Sequence, residues 1–310
     1  METILLLMPP RIREGVAPYV EQGFRQLEEI RLRINQAVEL IFLDQNIWLD
    51  EIIFLRKDRD YFLRQLSEHS LYKFDKELKE GYITVEGGHR VGLAGRVAFY
   101  EGKMRGLTDI TSFNLRIAKQ HKGLAHQFAP LLYQNHRFLH TLLIGPPQSG
   151  KTSLLRDLAR IISTGQEAFP PQKIGIVDER GEIAGAKNGI PQFDVGRRTD
   201  VMDHCPKAIG MMMMIRSMSP DVIIVDEIGR REDVQALLEA LYTGVTVLCS
   251  AHANNLEEVQ SRPSLTPLFT ADVFQRYIML SKDSLHRFSY KLYDAKGREL
   301  LTMREVACSS

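Results

Sequence analysis

The residues Gly145-Pro146-Pro147-Gln148-Ser149-Gly150-Lys151-Thr152 have the spacing G-x-x-x-x-G-K-T. Glycines in such a turn let successive backbone N–H groups close around phosphate oxygens, and the lysine adds a cation. By this chemistry Lys151 reaches the β- and γ-phosphates, and the Thr152 hydroxyl ligates Mg2+. A motif this short also arises by chance, so its flanks decide. Before it, Phe138 to Ile144 is an apolar run of the length of one buried strand. After it, Leu154, Leu155, Leu158, Ile161 and Ile162 fall on one helical face, and Arg156, Asp157 and Arg160 on the other. A strand, a glycine-bearing turn and a helix start therefore meet at one point, where the helix N-terminus adds positive potential. The sequence predicts a site for ATP with Mg2+.

Two further apolar runs end in acids: Lys173 to Glu179, closing on Asp178-Glu179, and Asp221 to Glu227, closing on Asp226-Glu227. A strand that delivers a carboxylate to a metal shell, followed by an acid able to take a proton from water, is the second half of a phosphoryl-transfer site. We expect Asp226 to bind Mg2+ through water and Glu227 to act as general base. Glu179 is an alternative base, and a structural alternative pairs the Asp178-Glu179 carboxylates with Arg180. His252 ends the run Thr246 to His252 and is a candidate γ-phosphate sensor. Zinc has little support, because His204-Cys205 has no other ligand at a suitable spacing.

The elements that must position these residues alternate strand and helix, as a parallel α/β sheet requires. Such sheets bind ligands beyond the carboxyl ends of their strands. The loop, both acidic pairs and His252 all fall at strand ends in this reading. The strand Tyr277 to Ser281 follows, then a closing hairpin from Arg287 to Met303.

The first third has a different texture. Pro9 and Pro10 punctuate a short helix, and a second helix is expected over Tyr19 to Leu27. Ile30 to Ile34 alternates apolar and basic residues, the period of a half-buried strand, and Val38 to Leu43 supplies another after a turn at Asn35-Gln36. Tyr61, Phe62, Leu66, Leu71, Phe74 and Leu78 have helical spacing, broken near Ser67 to Ser70. From Gly81 to Arg105, glycines interrupt short β-type runs, the pattern of a meander with tight turns. Phe113 to Ala118 is a last strand before the polar stretch Lys119 to Gly123. The expected domains are therefore an α+β domain over 1–122 and an α/β domain over 123–310. Arg90, Arg96, Arg105 and Arg116 gather just before the boundary. Transferring phosphoryl groups often need an arginine from elsewhere in the assembly, whereas the alternative is that these are solvated strand residues.

Composition sets bounds. With 310 residues, 44% hydrophobic and 25% charged, the chain has the profile of an ordinary globular protein. A net charge of +1 gives no bulk electrostatic case for nucleic acid or a membrane surface. Cys205, Cys249 and Cys308 are far apart and form no C-x-x-C, as expected in a reducing compartment. No run approaches the ~20 apolar residues of a membrane span, and Ile4 to Met8 is too short for a signal-peptide core. A cytoplasmic chain is expected.

The order of phosphate loop, acidic strand, second acidic strand and histidine strand resembles the type II/type IV secretion and pilus ATPases. Within that superfamily, several blocks resemble the stage III sporulation AA family of endospore-forming bacteria. They are Glu29 to Asn35, Gly87 to Gly95, Ile176 to Arg180, Asp194 to Val201, Cys205 to Ala208 and Arg216 to Asp221. The resemblance implies a RecA-like P-loop ATPase domain behind a smaller N-terminal domain, assembled as a homo-oligomer, most simply a hexamer. It implies a motor or assembly ATPase on the mother-cell side of the outer forespore membrane, serving integral-membrane proteins of a channel complex; the near-neutral charge leads us to expect no nucleic acid. The resemblance also implies that arginines such as Arg90 and Arg116 act on the bound phosphates. Two departures stand out. Gly181 occupies a position where that pattern has serine, and Asp226 precedes Glu227 where the secretion ATPases place glycine. The latter leaves the roles of Glu179 and Glu227 open. The alternative function is a nucleic-acid-directed RecA-like ATPase, a helicase or packaging motor; a third is a nucleotide-binding scaffold.

Overall fold

The structure is a computed structural model that describes residues 2–23, 26–67, 81–100, 103–283 and 287–304. Leu71, Phe74 and Leu78 of the expected helical stretch, and Cys308, lie outside the described residues. The chain divides into two compact units, Met1–Lys119 and Gln120–Ser310.

In the first unit the elements are α1 (Glu2–Leu7), α2 (Pro10–Gly23), β1 (Leu27–Arg33), β2 (Gln36–Phe42), β3 (Asn46–Phe54), α3 (Arg56–Leu66), β4 (Tyr82–Thr84), β5 (Arg90–Tyr100) and β6 (Lys103–Arg116). The second helix starts earlier than the sequence suggested. Ile4, Met8, Ile12, Val16 and Val20 recur every four residues and are all buried, which extends one apolar stripe through α2. Pro10 takes the first helical position, where its missing N–H is not needed. β3 was not anticipated; its inner and outer residues do not alternate cleanly, and its pairing with β2 carries a bulge.

Among the described residues six strands form an antiparallel sheet in the order β3-β2-β1-β6-β5-β4. Ile30, Leu32, Leu40, Val91, Phe113 and Leu115 share the core with the apolar sides of the three helices. Phe113 is the centre, with Phe54 and Phe62 packed edge-on at 5.9 and 4.8 Å. In place of several short strands, β5 and β6 make one long hairpin. It bends at a register shift beside Gly95, where a Cβ would lie 2.5 Å from the Asp109 carbonyl oxygen.

The second unit comprises β7 (Tyr133–Gln134), β8 (Arg137–Phe138), β9 (Thr141–Gly145), α4 (Lys151–Thr164), β10 (Ile174–Asp178), β11 (Thr199–Asp203), α5 (Lys207–Met218), β12 (Val222–Val225), α6 (Arg231–Tyr242), β13 (Thr246–His252), α7 (Leu256–Gln260), α8 (Thr266–Thr270), β14 (Arg276–Lys282), β15 (Phe288–Asp294) and β16 (Glu299–Arg304). The sheet order is β11-β10-β12-β13-β9-β14-β15-β16, parallel from β11 through β14 and closed by an antiparallel hairpin. Alternation splits each central strand between two cores. Leu143, Ile176, Ile224 and Leu248 pack with α4, whereas Leu142, Val177, Val225 and Cys249 pack with α5 and α6. Both faces are covered, which is why these strands read as continuous apolar runs.

Close approach of α5 to β10 depends on two glycines. A Cβ at Gly210 would lie 2.4 Å from Val177, and one at Gly175 would lie 2.5 Å from Met214. This contact fixes where α5 begins. The loop after β10 is clamped from both sides. Asp178, 1% exposed, accepts from the backbone N–H groups of Glu182, Ile183 and Ala184 at 2.8, 3.0 and 2.8 Å. Arg156 of α4 donates to the carbonyls of Ile183 and Glu182 at 2.6 and 2.7 Å, with Phe193 under its guanidinium. Gly181 makes the turn with φ +62°, a conformation that favours glycine, so its departure from the expected serine has a backbone reason.

Burial pushes the Asp178 carboxyl up to about 6, outweighing its backbone donors. Between its ordinary value of 3.8 and about 6, the native group keeps a proton that the unfolded chain has released. The contribution of Asp178 to stability therefore falls as pH rises through that window. Asp178→Asn should remove this slope in urea titrations from pH 4 to 7. It should also cost about 1–3 kcal/mol, because an amide turned toward backbone N–H groups leaves a buried donor unmet.

Candidate functional site

β9, β12 and β13 end side by side, with Gly145 opposite His252 in the register of β9 and β13. The chain leaves β9 through the glycine-bearing loop and enters α4 at Lys151. Gln148 and Gly150 take left-handed backbone, at φ +59° and +89°. Lys151 is buried, and its ammonium donates to the carbonyls of Gly145 and Pro146 at 2.8 and 2.7 Å and to His252 Nδ1 at 3.0 Å. Burial pulls the Lys151 ammonium below its ordinary value, against the opposing pull of Asp226 and Glu227.

Because Nδ1 of His252 accepts from Lys151, the Nε2–H donates to the Glu227 carboxylate. The Glu227 carboxylate also pairs with Arg180 at 2.7 Å. Glu227 itself has φ +48°, a left-handed conformation that costs a residue with a Cβ ~1–2 kcal/mol. Its neighbour Asp226 accepts from the Thr152 hydroxyl at 2.7 Å through Oδ2. The structure thus brings together Lys151, Thr152, Asp226, Glu227 and His252 in one network.

Glu179 follows β10 and pairs with Lys207, the first residue of α5; Arg230 stands 3.9 Å away. Lys207 is buried, unusual for a lysine, and a cation at a helix N-terminus works against the helix dipole. Its ion pair with Glu179 accounts for its position. Asp178, Glu179, Glu182, Lys207, Asp226 and Glu227 line one cleft. Arg180, the structural partner the sequence offered for the Asp178-Glu179 pair, forms a bridge to Glu227.

Sequence reasoning overlooked Lys207, Ser250 and Arg156. Ser250 interrupts the buried run Val247 to Ala251, and a polar residue in such a run needs a partner; that was the available signal. Lys207 carried no signal beyond its place in Cys205 to Ala208.

The donors suit a nucleotide with a hard cation. Thr152 and Asp226 oxygens lie side by side, the ligand type that Mg2+ prefers. The Ser149 hydroxyl is buried in the loop without a hydrogen-bond partner, a donor that a phosphate oxygen would satisfy.

Arg90 and Arg116 belong to the first unit. They face each other across β5 and β6, on the side of the sheet away from its core, with Glu29 on the other side of Arg116. The Arg90 guanidinium lies 4.7 Å above the Tyr82 ring. No helix among the described residues is long and apolar enough to cross a membrane.

The model of the family "Sporulation stage III, protein AA" matches residues 1–300. Stage III sporulation protein AA of Bacillus subtilis is 50% identical over 300 residues, 97% of each chain. Among solved structures, the Legionella pneumophila ATPase DotB has a TM-score of 0.64 at 14% identity, covering 93% of this chain and 82% of its own. The pilus retraction motor PilT, solved with bound ADP, has a TM-score of 0.59 at 17% identity, covering 90% and 82%. The chain shares their RecA-like P-loop fold. By the family match and by identity over almost its whole length, the chain belongs to the sporulation stage III protein AA family.

Proposed function

We propose that the protein is a Mg2+-dependent ATPase of the secretion-ATPase type that works as a homo-oligomer, most simply a hexamer. The observation that carries the reading is the hydrogen-bonded chain Lys151–His252–Glu227, with Thr152 on Asp226 beside it. It joins the phosphate-loop cation to the carboxylate best placed to handle a proton. In this reading the loop from Gly145 to Thr152 would wrap the phosphates, and Thr152, with Asp226 acting through water, would hold a Mg2+ that supplies positive charge to the phosphate oxygens when bound. Glu227 accepts the proton of the attacking water. Both acids are paired, Glu179 with Lys207 and Glu227 with Arg180 and His252, so what favours Glu227 as base is its place in the chain that reaches Lys151. His252 reports the state of the phosphates to Glu227.

Family membership supports a role in sporulation, in the mother-cell cytoplasm at the outer forespore membrane, reached through integral-membrane partners of a channel complex. Arg90 and Arg116 are the cations we propose to act on the transferring phosphoryl group, from the same chain or a neighbour.

Purified chain should hydrolyse ATP in a Lys151-dependent way, without stimulation by DNA or RNA. Normal turnover by a folded Lys151→Ala chain would sink the site. Glu227→Gln should retain ATP while turnover falls by 10²-fold or more, since the amide cannot accept a proton. Trapping by Glu179→Gln instead, with Glu227→Gln near normal, would transfer the base to Glu179.

Arg90→Ala or Arg116→Ala should bind ATP within a few-fold of wild type yet lose ~10³-fold in turnover. Wild-type rates in both would end that assignment. Mixing an arginine variant with Lys151→Ala separates the sources, because recovered activity requires donation by a neighbour.

A further inference from the structure

We propose that Ser250 is a positioning residue that fixes both acids of the site, an inference that rests on the nucleotide reading above. Ser250 lies on β13, is fully buried, and has apolar neighbours in Cys249 and Ala251. Its hydroxyl donates to Asp226 Oδ1 and accepts from the Glu227 backbone N–H at 3.0 Å. Its carbonyl accepts from the Ile228 N–H at 2.8 Å. One residue thus holds three in succession, Asp226, Glu227 and Ile228.

These contacts divide the Asp226 carboxylate. Oδ1 is taken by Ser250 and by the Glu227 N–H at 2.9 Å, which leaves Oδ2 aimed at Thr152. A carboxylate free to rotate would present either oxygen to a cation. One whose Oδ1 is tied presents Oδ2 in a fixed direction, and such outer contacts set metal affinity. The same hydroxyl caps the amide of Glu227, whose left-handed backbone must be held by its surroundings. A hydroxyl can give a proton to a carboxylate and accept one from an amide at once. Alanine does neither, and threonine does both.

The test uses the full chain as wild type, Ser250→Ala and Ser250→Thr. ADP affinity is measured in chelator, and Mn2+ affinity in the presence of ADP is measured by electron paramagnetic resonance. Thermal midpoints are recorded for all three. Ser250→Ala should bind ADP in chelator within about twofold of wild type yet need about tenfold more Mn2+ for half saturation. Ser250→Thr should recover to within about threefold of wild type. A Mn2+ affinity within twofold of wild type in folded Ser250→Ala overturns the proposal. So does a folded Ser250→Thr as weak as the alanine variant. If Ser250→Ala does not fold, Ser250→Thr decides by the same threefold limit. A folded wild-type chain that binds neither ADP nor Mn2+ fails at the nucleotide reading itself and takes this inference with it. A wild-type chain that binds both while Ser250→Ala matches it fails here alone.

Discussion

Carboxylates crowded at the ends of adjacent parallel strands repel one another, and each has to be answered by a donor or a cation. β10 and β12 pair with Val177 opposite Val225, so Asp178 and Asp226 emerge next to each other. Glu179 and Glu227 follow at once. Neighbouring strands lie only ~4.8 Å apart, close enough for such charges to interact strongly where solvent is partly excluded. The solutions differ for each acid. Asp178 takes backbone N–H groups, Glu179 takes Lys207, Asp226 takes two hydroxyls, and Glu227 takes His252 and Arg180. Much of the second unit serves these pairings. The start of α5 brings Lys207, the turn at Gly181 aligns the donors for Asp178, and β13 brings both Ser250 and His252.

The parts that could be read from the sequence are those whose signal is local. The turn from β9 into α4 is one such part, because a glycine turn between an apolar run and an amphipathic helix is visible within about 25 residues. The strands of the parallel sheet are another, since burial on both faces gives unbroken apolar runs. What could not be read is the set of contacts fixed by strand order. β9 lies between β13 and β14, both more than 100 positions later, and no periodicity announces that neighbourhood. Lys207 meets Glu179 across 28 positions, and Ser250 meets Asp226 across 24. The misplaced start of α2 is a different failure. There the punctuation of two prolines outweighed a four-residue stripe that packing makes decisive.

Several blocks that carry the family resemblance do structural work beside the chemistry. In Gly87 to Gly95, the first two glycines turn with φ +83° and +75°. His89 is buried behind them and accepts from the Ala118 N–H at 2.9 Å, and burial holds its ring well down, at about 4. The block ends on Gly95, at the bend of the long hairpin. In Asp194 to Val201, Gly196 comes so close to α4 that a Cβ would meet the Arg160 carbonyl oxygen at 2.8 Å. Cys205 to Ala208 opens α5, and Arg216 to Asp221 closes it, with Ser219 in left-handed backbone at φ +47°. These residues place Lys207 and β12, and with them the acids at the strand ends. Arg90 and Arg116 differ, because like charges facing each other across strands weaken a sheet. Glu29 stands opposite Arg116 in the register, and Tyr82 lies under Arg90.

The two networks at the strand ends also differ in how they should respond to loss of a member. Glu179 and Lys207 are partners at the edge of α5: removing Glu179 leaves the buried Lys207 cation unanswered, whereas removing Lys207 leaves Glu179 to Arg230 and solvent. The Lys151–His252–Glu227 chain has no such isolation. His252 can accept from Lys151 only while its other nitrogen carries the proton given to Glu227, so the state of one end fixes the hydrogen bond at the other. Energies in a chain of this kind do not divide among residues, because removing the ring alters both bonds at once. The same reasoning extends through Asp226, whose carboxylate accepts from the Glu227 backbone N–H through Oδ1 and from the Thr152 hydroxyl through Oδ2. From loop lysine to loop threonine, the circuit runs through both acids and closes on α4. The loss of a hydrogen bond at the start of α4 therefore bears on contacts at the ends of β12 and β13 as well.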